Sequence, residues 1–327
     1  MPHTPKPASQ HSRPGADSGG GLLLVTLSRL GDMISSLGLE EALRRHVGPV
    51  DLLIRPEYSP LLADEPERRV VTLAEARRKP YALLVDLDST KYTRPLCRRL
   101  RAGRKIGFIK REGQRWRFSF MYDVLIRRQD KAHIDGRIDA LLDFLGIRER
   151  YRPSLNVNEP AGRPETDIIP EIGRVAGIHV GAGNPLRVLP DSILRPLVDF
   201  CRSHTVPVLF LGDEQEVRRA ADPVFGGYPR ALVLGLAELK WMIHRLAVFI
   251  GPDSGPLHLA AALGTPSIGL FGPNLAILAA PRDPRISIFE IELPCRPCDQ
   301  KSCPYHQRCL TGLPVEAILD RLRILLK

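Results

Sequence analysis

Short apolar runs alternate along this 327-residue chain with longer stretches in which apolar positions recur at helical spacing. In the first half the pattern predicts strands over 22–27, 50–54, 82–87 and 104–108, separated by helices such as 33–47 and 91–101. From Glu149 to Arg174 the alternation stops, and Pro153, Pro160, Pro164 and Pro170 mark a linker. A second alternation follows, with strands over 175–180, 207–211, 231–234, 247–251 and 267–270 and helices near 190–203, 214–222, 236–246 and 256–263. Strands that alternate with helices build a parallel sheet covered on both faces, so two doubly wound α/β domains are expected. Pro314 suits the first position of a helix, and beyond it Val315, Ile318, Leu319, Leu322, Leu325 and Leu326 fall at helical spacing. That closing helix is amphipathic and must pack on something, with the domain junction as one place to do so.

Length agrees with this division, because 327 residues exceed one ordinary core. Residues 1–20 are rich in proline, glycine and serine and are read as a disordered tail. The expected domains are then 21–155 and 174–313, with a linker at 156–173 and the closing helix at 314–327. No run approaches the roughly 20 apolar residues that span a bilayer, and the N-terminus has no apolar core of a signal peptide, so a cytoplasmic protein is expected. Lysine and arginine number 47 against 37 acids, a net charge of +10 that favours acidic partners. Nucleic acid, anionic lipid and a nucleotide substrate all fit that charge.

Two strand-to-helix turns carry most of the chemistry. In the first, Leu27-Ser28-Arg29-Leu30-Gly31-Asp32, the glycine allows a close approach to the backbone and Asp32 falls in the first turn of the helix. Asp32 is either a helix cap or a carboxylate at the strand end where open α/β sheets bind ligands. In the second, Gly251-Pro252-Asp253-Ser254-Gly255-Pro256-Leu257-His258, free amides at the helix start and the Ser254 hydroxyl make an anion site. His258 lies one turn further in, where it faces the same anion or is a buried structural histidine. Three more turns join this edge. Gly181-Ala182-Gly183 precedes Arg187, Gly212-Asp213-Glu214-Gln215-Glu216 offers carboxylates to ribose hydroxyls, and Phe271-Gly272-Pro273 ends the next strand. Together they describe a nucleotide pocket.

The sequence resembles glycosyltransferase family 9, the lipopolysaccharide heptosyltransferases. The resemblance rests on Leu27-Ser28-Arg29-Leu30-Gly31-Asp32, His133 with the helix ending Phe144-Leu145-Gly146-Ile147, His179-Val180-Gly181-Ala182, Asp253-Ser254-Gly255-Pro256-Leu257-His258-Leu259-Ala260, and Phe271-Gly272-Pro273, in family order. It implies a GT-B fold of two Rossmann-like domains facing a cleft, the acceptor held by the first and the nucleotide sugar by the second. It also implies inverting transfer of heptose from ADP-heptose to the lipopolysaccharide inner core, with no catalytic metal, on the inner face of the inner membrane. Asp32 matches the family's catalytic carboxylate. Gly181, Ala182, Asp253, Ser254, Gly255 and His258 match its donor loops, and Glu216 and Leu234 fall near its ribose and adenine contacts. Ser28, Gly31, Phe271 and Gly272 complete the expected pocket. Arg187 falls where the family has a lysine on the donor phosphates, but Val188, Leu189 and Pro190 follow it in place of tryptophan and proline. The loop Gly181-Ala182-Gly183-Asn184 also lacks the hydroxyl residues of some members. Another GT-B activity, such as transfer of a different sugar or epimerisation, and a non-catalytic nucleotide-sugar binder are the competing readings.

Between Arg94 and Lys131 many basic residues are interleaved with Trp116, Phe118, Phe120 and Tyr122. A charge run is a solvated face or a nucleic-acid site. In the acceptor domain of a lipopolysaccharide enzyme the expected partners are instead acidic core sugars and an anionic membrane surface, with no nucleic acid. Cys295-x₂-Cys298-x₄-Cys303-x₅-Cys309 has the count of a four-thiolate site. Structural zinc or iron, packed free thiols and disulfides are the three readings.

Overall fold

The computed structural model describes residues 20–128, 134–159, 174–181, 183–298, 300 and 302–327, without the side chains of Ile134, Gln215 and Glu216. Residues 1–19 of the expected tail, most of the expected linker, His133 and Ala182 lie outside the described residues.

The first domain runs β1 (Leu22–Thr26), α1 (Leu30–His46), β2 (Val50–Ile54), β3 (Arg69–Val70), α2 (Leu73–Arg78), β4 (Tyr81–Asp86), α3 (Thr93–Arg99), β5 (Ala102–Ile109), α4 (Arg115–Phe118), β6 (Val124–Arg127) and α5 (Ile134–Phe144). The second runs β7 (Ala176–His179), α6 (Asp191–Ser203), β8 (Val208–Gly212), α7 (Glu214–Val217), β9 (Arg230–Val233), α8 (Leu236–Arg245), β10 (Val248–Pro252), α9 (Gly255–Leu263), β11 (Ser267–Phe271), α10 (Ala276–Ala279), β12 (Ile286–Glu290), α11 (Arg308–Thr311) and α12 (Val315–Leu325). Each domain holds one six-stranded sheet, in the orders β3-β2-β1-β4-β5-β6 and β12-β11-β10-β7-β8-β9. Every pairing is parallel, with Leu24 opposite Leu52 and Val85 in the first sheet and Ile250 opposite Ile178 and Ile268 in the second. The two orders are the same once each domain is numbered from its own first strand, which is the doubly wound arrangement the apolar runs predict. Strands such as Leu22–Thr26 and Ser267–Phe271 are buried at every position, as helices on both faces require.

Three strands were not anticipated. β3 is only two residues long, β6 is a mixed Val-Leu-Ile-Arg segment at one sheet edge, and β12 lies beyond the prolines Pro281 and Pro284. The expected helix 214–222 is one α turn followed by two 3-10 turns, Arg218–Ala221 and Pro223–Phe225. Pro223 lacks the amide a helix would need there, and the Asp222 side chain accepts from the Val224 amide. The closing helix α12 does not cross the junction. Ile318, Leu322 and Leu326 join the core that contains Ile193, Leu197 and Val198 of α6, within the second domain. Among the described residues no helix is long and apolar enough to cross a membrane.

The largest apolar cluster does not respect the domain division. It runs from Leu24, Leu37 and Leu52 in the first domain to Leu209, Trp241 and Phe249 in the second. Its centre is the crossing of α1 and α9, where side chains shrink to hydrogen. A Cβ on Gly31 would lie 2.8 Å from His258 Cδ2, and one on Gly255 would lie 2.8 Å from Leu30 Cδ2. Polar ties flank this crossing. Lys240, 1% exposed, donates to the Leu61 carbonyl at 3.0 Å and to Asp64 at 2.6 Å, and Arg282 pairs with Asp139 at 2.8 Å.

Candidate active site at the two switch points

In a doubly wound sheet the crevice for ligands opens outside the carboxyl ends of the two central strands, where the chain changes direction. Those strands are β1 and β4 in the first domain and β7 and β10 in the second. Both sequence-predicted turns therefore stand at switch points.

At the first switch point the helix start has no cap of its own. Arg29 occupies the N-cap with an extended backbone and no side-chain hydrogen bond. Asp32 sits three residues further on, half-buried in the first turn, so it does not act as the N-cap. The turn is held from the next strand instead. Asp88, 5% exposed and two residues past β4, accepts the Leu27 amide at 2.6 Å and the Ser28 hydroxyl at 2.5 Å. Arg55, just past β2, donates Nε to the Leu27 carbonyl at 2.7 Å. Both polar groups of Leu27 are thus tied to side chains of neighbouring strand ends. Arg137 on α5 adds a 2.8 Å bond to the Leu87 carbonyl. Burial pushes the Asp88 carboxyl above its ordinary range, while the Ser28 and Leu27 hydrogen bonds and the charges of Arg137 and Arg55 pull it back. Tyr58, half-buried, has its hydroxyl raised chiefly by burial, and the negative charge of Asp32 contributes.

Ser28 was expected to line the pocket, yet its hydroxyl is spent on Asp88. Gly31 was expected to let a ligand approach, but it admits the His258 ring instead. Asp88, Arg55, Arg137 and Tyr58 were not anticipated. The doublet Asp86-Leu87-Asp88 at a predicted strand end was the one available signal.

At the second switch point the charges pair with one another. The Asp253 carboxylate, 6% exposed, meets Arg187 Nη1 at 3.0 Å and accepts from Asn274 Nδ2 at 2.6 Å. Arg187 Nη1 also reaches the Asp253 carbonyl at 3.3 Å. Pro256 stands in the first turn of α9 and Ser254 is its N-cap. The Ser254 side chain makes no capping bond, and its buried Oγ has no hydrogen-bond partner among the described residues. Arg187 Nε is buried in the same condition. Burying an unpaired hydroxyl or guanidinium nitrogen costs about 1–3 kcal/mol, so such atoms are uncommon except where a ligand or water satisfies them.

The other expected donor residues are placed differently. His258 is built into the helix crossing, with Nδ1 3.4 Å from Ser35 Oγ and Nε2 3.1 Å from the Ala279 carbonyl. Phe271 is fully buried in the core, and a Cβ on Gly272 would lie 2.6 Å from Leu310 Cγ. Gly181 is buried just past β7, and Leu234 packs half-buried after the edge strand β9. The Glu216 side chain and Ala182 lie outside the described residues. Gly255 serves the helix crossing as well as the turn.

Cys295, Cys298, Cys303 and Cys309 line one cavity of about 230 Å³, and all four are free thiols. Among the described residues no group of three or more Cys, His, Asp or Glu side chains is arranged to hold a metal ion. Cys309 is buried, and burial raises its thiol pKa. Cys303 Sγ accepts the Gln307 amide at 3.4 Å. The thiols as arranged do not fit the expected four-thiolate site.

Two doubly wound domains packed through the helices that follow their switch points define the GT-B class of protein. Within that class the match is specific: residues 73–308 fit the family description glycosyltransferase family 9 (heptosyltransferase), and the chain belongs to that family. It is 34% identical over 164 residues to lipooligosaccharide heptosyltransferase 2 of Campylobacter jejuni, which is 47% of this chain and 51% of that one. The chain thus spans about half the length of that relative. Lipopolysaccharide heptosyltransferase 3 of Escherichia coli K12 is 25% identical over 276 residues, 74% of this chain and 79% of that one. The solved structure of Escherichia coli ADP-heptose LPS heptosyltransferase II superposes with a TM-score of 0.74 at 18% identity, over 94% of this chain and 98% of that one, a likeness of fold.

Proposed function

We propose that the protein is an inverting heptosyltransferase that moves heptose from ADP-heptose onto the inner core of lipopolysaccharide. The first domain, residues 21–155, holds the acceptor, and the second, 174–313, holds the nucleotide sugar. One observation carries the reading: Ser254 Oγ at the start of α9 and the neighbouring Arg187 Nε are both buried without a hydrogen-bond partner among the described residues. A diphosphate supplies acceptor oxygens for both atoms and for the helix-start amides.

Asp32 then acts as general base. It takes the proton of the acceptor hydroxyl as that oxygen attacks the anomeric carbon from the face opposite ADP. Positive charge grows on the sugar ring and negative charge on the departing diphosphate, where Arg187 and Ser254 meet it. Preorganised donors of this kind are worth about 3–4 kcal/mol each when removed. Asp253, held by Arg187 and Asn274, orients sugar hydroxyls. Asp32→Asn, with its fold intact by circular dichroism, is expected to lower kcat with ADP-heptose by roughly 10²- to 10⁴-fold. A rate near that of the unmodified protein rejects the base. A product made only from another nucleotide sugar replaces the donor.

Association with an anionic membrane surface belongs to the same reading. From Lys91 to Arg128 the chain has 13 lysines and arginines against two acids, a net of +11, while the whole chain carries +10. All of the surplus charge therefore lies in this segment. Tyr92, Trp116 and Phe120 are 75%, 78% and 62% exposed within it, and Arg98 stands over the Phe120 ring. Basic groups supply attraction to anionic headgroups and aromatics suit the interface. Binding to vesicles containing anionic lipid is expected to fall steeply with salt. Equal binding to neutral vesicles, or tight binding to generic nucleic acid at physiological salt, counts against this.

A further inference from the structure

The first switch point contains a buried carboxylate whose two oxygens are turned onto the backbone of the turn. Asp88 uses both oxygens on the two residues between β1 and the N-cap of α1, the Leu27 amide at 2.6 Å and the Ser28 hydroxyl at 2.5 Å. Its own position is fixed from behind. Asp86 accepts the Ser89 amide at 2.8 Å, Ser89 Oγ accepts the Phe108 amide at 2.7 Å, and Arg137 holds the Leu87 carbonyl. Arg55 secures the opposite side of the Leu27 peptide. The helix start offers nothing comparable, since Arg29 makes no side-chain capping bond.

We infer that Asp88 is the positioning residue for Asp32: by clamping Leu27 and Ser28 it fixes where α1 begins, and with it where the Asp32 carboxylate meets the acceptor hydroxyl. This rests on Asp32 being the base. Asp88 performs no proton transfer of its own. A shift of about 1 Å in a reacting group costs about 10²-fold in rate, which sets the scale of the effect.

The test is a double-variant cycle read by sugar transfer together with ADP binding. Asp88→Ala is expected to lower kcat about 10²-fold, with ADP affinity and donor KM unchanged, because the donor side lies in the other domain. Asp88→Asn is expected to restore most of the rate, since its carbonyl accepts from Leu27 and its amide donates to the Ser28 oxygen. In an Asp32→Asn background Asp88→Ala should change kcat by no more than about threefold, because two residues acting through one group are not additive. A near-normal kcat for Asp88→Ala, or a loss undiminished on top of Asp32→Asn, overturns the inference. A normal rate for Asp32→Asn alone instead rejects the base itself. Should Asp88→Ala not fold, Ser28→Ala removes one of the two bonds and carries the same cycle, with a loss of about tenfold expected from the same positional sensitivity.

Discussion

The two strand-to-helix turns have the same topology and differ in how their charged side chains are used. At the first, Asp88 and Arg55 tie down Leu27 and Ser28 faces Asp88, while the buried Thr26 Oγ1 just before them has no partner among the described residues. At the second, Asp253 and Arg187 pair with each other, while Ser254 Oγ and Arg187 Nε are buried with no partner among the described residues. A group that must stay at a fixed point benefits from saturated neighbours, whereas a group that must receive a ligand benefits from unused donors. The contrast thus separates a turn built for placement from one built for binding, as the proposed roles of Asp32 and Ser254 require.

The largest expected effect is the loss of turnover in Asp32→Asn, followed by that in Asp88→Ala, both on the placement side. Next comes the seam where the two turns touch. Gly31→Ala puts a Cβ 2.8 Å from a His258 ring that Ser35 and the Ala279 carbonyl hold in place. Overpacking of this sort costs about 1–3 kcal/mol, so urea unfolding should show Gly31→Ala destabilised by that amount. An unchanged midpoint means the two helices slide apart freely. The smallest effect sharpens the comparison most, because its two parts have opposite signs. Ser254→Ala removes a buried hydroxyl that has no partner among the described residues, so the unliganded protein should be equally stable or slightly more so. ADP affinity should fall by about 0.5–1.5 kcal/mol in calorimetry, the value of one hydrogen bond. Lower stability with unchanged affinity would make Ser254 a structural residue.

Much of this architecture is legible in the sequence, for reasons visible in the elements. β1 and β11 are runs of wholly buried residues, and a run needs no partner to be recognised. Asp253-Ser254-Gly255-Pro256 announces a helix start by residue type alone. Other features depend on partners far apart in the chain. Arg187 and Asp253 are 66 residues apart, and Ser28 and Asp88 are 60 apart, so no local spacing encodes either pair. His258 and Gly31 looked like ligand residues for the same reason: conformational freedom and a titratable ring suit a pocket, and only the crossing of α1 and α9 shows them filling each other's space. Phe271 lies at the correct sheet edge but points into the core, a choice between two faces that its flanking glycine does not reveal.

The docking of α12 on α6 has a topological consequence. With the last helix retained by the second domain, every described element of the first sheet precedes residue 160 and every element of the second follows residue 173. Among the described residues the elements of the two domains do not interleave, and no C-terminal strap returns to fasten them. Their relative position is then set by the shared apolar core, in which Leu30 and Gly31 pack against Gly255 and His258 with Lys240 and Arg282 alongside. Because that core is apolar and continuous, turning one domain against the other would expose part of it to water, so the pair is held together without such a strap.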